Sequence, residues 1–181
     1  MTTIIDGSGS ATFATPLPVA QGGTNNSTVS AANIAMQAAT PVFSVYQSAS
    51  QTLVTATLTK VSLNTKEFDT AGAFDAVTNF RFQPLVAGYY QINGVARLQA
   101  TLMTAAMVSL FKNGVEYQRG GETNIAAFTG VMNLTVSAVV FLNGSTDYME
   151  LFASVAGTSP TTIFVAQALT SRFSGALDKP T

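Results

Sequence analysis

Three acids stand close together, Glu67, Asp69 and Asp75, and carboxylate oxygens are what calcium prefers as ligands. Their spacing is not the alternate-position pattern of a calcium-binding loop, so they read as solvated loop acids and not as a metal site. Glu116 with Glu122, and Asp147 with Glu150, have the composition of a glycosidase acid pair, which works only with its carboxyls a set distance apart. All four lie beside turn signals, where acids face water. Arg119-Gly120-Gly121 lacks the strand-to-helix context and the Lys-Ser/Thr ending of a phosphate loop and reads as a flexible loop. Histidine and cysteine are both absent, which removes disulfides, zinc and haem sites built on those ligands, and Ser–His–Asp or Cys–His nucleophiles. The expectation is a protein that is not an enzyme, with no catalytic, cofactor-binding or metal residues. Phe80, Phe82, Tyr89, Tyr90, Phe141 and Phe173 fall at strand positions and are expected in a core. Tyr46 and Tyr117, nearer to turns, are the candidates for surface contacts.

The elements that carry these residues begin at Pro41. The first forty residues are rich in Thr, Ser, Ala, Gly, Asn and Pro and read as an arm. Within it, residues 16–27 join a Pro-spaced extended stretch to a Gly-Gly turn, and Ser27–Gln37 has the cap and the weak apolar face of a short helix. From Pro41 to Thr181 the pattern is all-β, with β-branched and aromatic runs at Val42–Ser48, Leu53–Leu63, Tyr89–Leu102, Ala106–Phe111, Val131–Leu142, Tyr148–Val155 and Ile163–Leu177. Turns are expected at Ala71-Gly72, Ala87-Gly88, Asn113-Gly114 and Asn143-Gly144. Asn113-Gly114 is the strongest of these, because both residues accept the positive φ of a two-residue hairpin.

Net charge is −1 with no Lys/Arg cluster, which argues against nucleic acid and anionic membranes as partners. No apolar run reaches bilayer length and no basic-then-apolar leader opens the chain, so membrane insertion and a signal peptide are not expected. Yet 47% of residues are apolar and only 9% charged, against roughly 25% charged in an ordinary domain. Self-association would hide that surface. Residues 131–142 point the same way, with Val131, Met132, Leu134, Val136 and Val139–Leu142 reading as apolar on both faces. A central strand of a thick monomeric sandwich is the alternative reading.

The run Phe80-Arg81-Phe82-Gln83-Pro84-Leu85-Val86-Ala87-Gly88-Tyr89-Tyr90 resembles the Phe-x-x-Pro-x-x-Gly-x-Tyr core of complement component 1q globular heads. Pro41–Val45, Phe68-Asp69 through Phe74-Asp75, Leu110–Gly114, Val139–Leu142, Asp147–Leu151 and Phe173–Leu177 resemble further family segments in the same order, so the likeness spans about residues 41–178. It implies an antiparallel jelly-roll sandwich of the tumour necrosis factor-like class, homotrimeric. Some family members bind calcium near the trimer axis, but Gly144-Ser145-Thr146-Asp147 departs from the family's Gly-Asp, and no Gly-X-Y stalk precedes the head.

Instead, Pro16-Leu17-Pro18-Val19-Ala20-Gln21-Gly22-Gly23-Thr24 resembles the Pro-Val-x-Gln-Gly-Gly-Thr stretch of bacteriophage tail-fibre proteins. The two resemblances together imply a structural virion protein. Residues 1–40 would be the particle anchor, through Pro16, Pro18, Val19, Gln21, Gly22, Gly23 and Thr24 and other virion proteins. Residues 41–181 would be a trimeric head that touches a host-surface glycan or protein. A tail or base-plate fibre is the first reading, a capsid cement protein or head fibre the second, and a surface adhesin or polysaccharide depolymerase the third.

Overall fold

Val, Ile, Thr and aromatic residues suit a pleated, half-buried surface, and from Pro41 onward the chain uses them in strands joined by Gly- and Asn-bearing turns. The computed structural model describes residues 3–5, 11–13, 40–162 and 170–181, and the chain divides into two units, residues 1–40 and 41–181. In the first unit β1 (Thr3–Ile5) pairs antiparallel with β2 (Ala11–Phe13), a small sheet that the composition did not announce. The helix expected over Ser27–Gln37 and the anchor segment 16–24 lie outside the described residues.

The head runs β3 (Val42–Tyr46), β4 (Gln51–Thr52), β5 (Thr59–Lys60), β6 (Thr65–Asp69), β7 (Phe74–Asp75), β8 (Arg81–Phe82), β9 (Ala87–Lys112), β10 (Val115–Asn143), β11 (Met149–Thr162) and β12 (Arg172–Pro180). Its organising feature is the β9–β10 hairpin. Asn113 (φ 54°) and Gly114 (φ 78°) make the two-residue turn, with Lys112 opposite Val115, and the ladder continues to Ala87 opposite Asn143. Each strand changes direction once, β9 at Leu102 (φ 51°) and β10 across register shifts between Asn124 and Gly130. One sheet is therefore β6-β3-β12 with the first half of β9 and the second half of β10. The other is the first half of β10, the second half of β9, and β11, which carries β4, β5 and β8.

The sheets close on an aromatic cluster. Phe43 of β3 stacks on Phe82 of β8 at 4.1 Å and lies 5.7 Å from Phe74, while Phe173 of β12 meets Phe43 edge-on at 5.2 Å. Each such pair adds about 0.5–1.5 kcal/mol beyond its burial. Tyr90 extends the cluster to Phe82 and donates its hydroxyl to the Val86 carbonyl at 2.7 Å; burial pushes its phenol up to about 12.

Several expectations are corrected. Tyr89–Leu102 and Ala106–Phe111 belong to one strand, bent rather than broken. Leu53–Leu63 is mostly irregular, burying Leu53, Val61 and Leu63 while Val54–Thr57 face outward, and its one strand is β5, which pairs with β11. Ala87-Gly88 is no turn. Gly88 sits inside β9, outside the left-handed region, where a β-carbon would lie 2.5 Å from the Lys179 carbonyl oxygen and 2.7 Å from Leu177 Cδ1. Residues 131–142 alternate after all. Met132, Leu134, Val136, Ala138, Val140 and Leu142 turn to the core, and the residues between them are exposed. Gly120-Gly121 is strand, not flexible loop: here the two halves of β10 meet across the sandwich, Gly120 against Thr135 and Val136, Gly121 against Leu134. Of the strand expected over 163–177, residues 163–169 lie outside the described residues.

Candidate interaction surfaces

The outer face of the first sheet is built from alternate residues of five strands. At its β9–β10 border Tyr89 (44% exposed) packs against Phe141 (41%) with ring centroids 5.5 Å apart, next to Val139 (53%). Above them Gln91 donates to the Ser137 hydroxyl at 2.8 Å, and that hydroxyl donates to Asn93 at 2.9 Å. A depression of about 250 Å³ follows, floored by Val42, Ser174 and Ala176 and walled by Phe68 and Arg172. Arg172 spends its charge locally on Glu67 (2.8 Å) and Ser44 (2.8 Å). Arg97, on the same face, has no ion pair among the described residues, and its Nε is buried without an acceptor there. This surface joins large apolar groups to satisfied amides and hydroxyls, the make-up of an interface core.

The sandwich has two unlike ends. At the end where the chain enters, the Leu177 amide donates to the Pro41 carbonyl (3.0 Å), the Thr181 amide to Ala87 (3.2 Å), and the Asn113 amide to Tyr148 (3.1 Å). Lys112 pairs with Asp147 at 3.0 Å, and Asp147 accepts from Asn113 at 2.7 Å. The opposite end gathers residues 53–57, 100–104, 124–130 and 157–160. There the Thr55 hydroxyl donates to the Gly157 carbonyl (2.9 Å) and accepts the Gly157 amide (3.2 Å), the Leu53 amide donates to Pro160 (2.9 Å), and the Leu102 amide to the Thr129 hydroxyl (3.2 Å). None of these residues is charged. The signal was in the sequence as uncharged runs over 41–59, 98–111, 123–146 and 151–171, but only the register shows that their middles converge.

The acids considered for chemistry are each engaged separately. No group of three metal-ligating side chains forms among the described residues. Asp75 accepts the amides of Thr78 (3.0 Å) and Val77 (2.9 Å) and both nitrogens of Asn79, and the Thr78 and Val77 bonds hold its carboxyl well below the usual range. For Asp69 burial pushes upward, but bonds from Lys66, Phe74 and Ala73 outweigh it and leave the carboxyl lowered. Glu116 binds Arg119 through two 2.9 Å contacts and accepts from Ser109, which lowers it, whereas Glu122 reaches Arg119 only at 3.4 Å. Glu150 is buried against Lys60, far from the role of an exposed acid pair with Asp147. Tyr46 and Tyr117 are not brought together. Tyr46 is half-buried on β3, and Tyr117 is exposed on β10 with its hydroxyl 3.3 Å from the Val139 carbonyl.

No protein-family model matches the sequence, and no curated protein matches it. Solved structures do. The globular domain of zebrafish complement 1qA protein is 15% identical and superposes with a TM-score of 0.53 over 78% of this chain and 99% of that one. Eiger TNF from S. frugiperda gives 9% identity and a TM-score of 0.58 over 78% and 93%. Murine APRIL gives 9% and 0.55 over 76% and 98%. At these identities the likeness is one of fold, and with the antiparallel strand order above it gives the chain its class: an all-β jelly-roll sandwich of the complement 1q and tumour necrosis factor type.

Proposed function

We propose that this chain is a non-enzymatic structural protein of a bacteriophage-like virion, a tail or base-plate fibre whose residues 1–40 attach to the particle and whose head is a homotrimer that contacts the host surface. The observation that carries the reading is the pairing of a Pro-Val-x-Gln-Gly-Gly-Thr-like segment, residues 18–24, with a jelly-roll head that begins at Pro41. Self-association is supported by the exposed Tyr89–Phe141–Val139 surface. Three arms side by side would multiply weak individual contacts with the particle.

Deleting residues 1–40 tests the reading. The expected product is a folded trimer by light scattering that no longer joins particles. Truncated protein incorporated at normal occupancy would move the anchor into the head, and a stable monomer at micromolar concentration would remove the trimer. Labelling whole particles for electron microscopy separates tail attachment from the capsid-decoration alternative.

A further inference from the structure

We propose that the uncharged end of the head, with the depression on its flank, binds a neutral polysaccharide, one sugar ring seating against Ala105, Ala156 and Met107 with Glu122 taking its hydroxyls. The inference rests on the fibre reading only for its biological setting; the site itself is read from the head.

Backbone strain marks this end. Of the five non-glycine residues with positive φ among the described residues, three lie here: Ala56 (55°), Leu102 (51°) and Ser159 (52°). Leu102 is 57% exposed in that conformation and Val54 63%, so neither is turned outward to complete the core. Strained residues persist where surrounding bonds over-determine them, and the Thr55–Gly157, Leu53–Pro160 and Leu102–Thr129 bonds do so here. The result is a fixed surface of methyl groups and threonine hydroxyls.

Beside it opens a depression of about 170 Å³, lined by Ala56, Ala105, Ala106, Met107, Ser154 and Ala156, with Glu122 at its rim. Its small volume fits one ring better than a drug-sized ligand. Alanine and methionine offer an apolar floor to the C–H face of a ring. A carboxylate accepts two hydrogen bonds at once, the pattern a vicinal diol donates. Glu122 has that capacity to spare, because Glu116 takes the close contacts of Arg119 and leaves Glu122 at 3.4 Å.

Charge narrows the partner. Glu122 is the one charged residue lining the depression, and with Glu116 and Arg119 beside it the local charge is net negative, which disfavours acidic polymers; residues 53–57, 100–104, 124–130 and 157–160 hold no basic residue, so an anionic lipid surface gains little there. A protein partner would be expected to find aromatic or arginine anchors, and among the described residues the exposed groups here are Leu, Val, Ala, Thr, Ser and Asn.

The test uses the full chain over immobilised neutral glucans, mannans and galactans and their carboxylated or sulfated counterparts. At least one neutral polymer should bind, with affinity changing less than about twofold between low and high salt because no ion pair is made. Its acidic counterpart should bind at least about tenfold more weakly. Ala156→Trp, filling the depression, should cut binding by about tenfold or more, with trimer size unchanged by light scattering. Glu122→Gln keeps a hydrogen-bonding group without the charge, so it should narrow the gap between neutral and acidic polymers. Failure of every neutral polymer to bind, preference for acidic ones, or equal discrimination in wild type and Glu122→Gln would overturn the proposal. Because purified protein is used, each of these results stands apart from whether the chain joins a particle.

Discussion

Replacing Gly120 by alanine probes the place where β10 meets itself. A β-carbon there would overlap the Thr135 carbonyl oxygen and Val136 Cβ and lie 2.8 Å from Val136 Cα, against the roughly 3.5–4.0 Å that carbon atoms prefer. The obstacles are backbone or close to it and cannot rotate away, so the two halves of the strand must part by about 1 Å. Overpacking of that kind costs about 1–3 kcal/mol. Alanine in place of glycine returns about 0.4–1 kcal/mol by restricting the unfolded chain, which leaves a net loss of about 1–2 kcal/mol. The neighbouring Gly121→Ala is an internal control, since its β-carbon would meet the flexible Leu134 side chain at 3.2–3.3 Å. That change should be neutral within about 0.5 kcal/mol. Urea unfolding followed by far-ultraviolet circular dichroism, at one fixed protein concentration, gives both values. At about 2–4 °C per kcal/mol for a chain of this size, the thermal midpoints should differ by several degrees. A Gly120→Ala protein as stable as Gly121→Ala would refute the close approach.

Other outcomes follow from the same structure. Phe141→Asp, placing a charge on the Tyr89–Val139 surface, should convert the proposed trimer to monomers in light scattering with the circular dichroism spectrum retained; unchanged assembly would show that this face is not an interface. Phe43→Ala removes the ring that touches Phe74, Phe82 and Phe173 and should cost about 3–5 kcal/mol in urea unfolding. Gly88→Val should destabilise by more than about 1 kcal/mol, through collision with Lys179 and Leu177 and not through φ, so Gly88→Ala should also be harmful. Asp69, Asp75, Glu116 and Asp147 all have carboxyls lowered in the fold, so their stabilisation is present above the ordinary carboxylate range of about 4 and is lost as pH falls below it. With no histidine, stability should be flat from about pH 5.5 to 8; a transition inside that window would contradict the assignment.

What the sequence disclosed was the part of the fold that local chemistry controls. Asn113-Gly114 specifies its turn by itself, and Gly72 and Gly144 adopt the positive φ their turn signals require. The resemblance of the segments from Pro41 to Leu177, taken in order, to complement 1q heads was enough to suggest the jelly roll. Features set by distant neighbours were hidden. Gly88 and Gly120 look like turn and loop residues, yet each is glycine because another strand passes close by. Residues 53–63 carry strand-like residues, but Leu53, Val61 and Leu63 are spaced as plugs for the core and not as a ladder. The apolar run 131–142 hid its alternation because Val131, Val139 and Phe141 are outward and still large. The uncharged end escaped notice since its parts are four separate runs, each unremarkable alone.

The β9–β10 hairpin also sets an order of assembly. Its turn joins adjacent residues and can form within about 1–10 μs, and pairing then propagates outward from Asn113-Gly114 without any distant partner. The β3–β12 ladder is the opposite case, since Ser44 meets Ser174 only after nearly the whole head has been looped together. Closure of β12 between β3 and β9 is therefore the slow, late event. Until it happens the first half of β9 is an open edge carrying Tyr89 and Tyr90, and newly made chains are most prone to pair wrongly there.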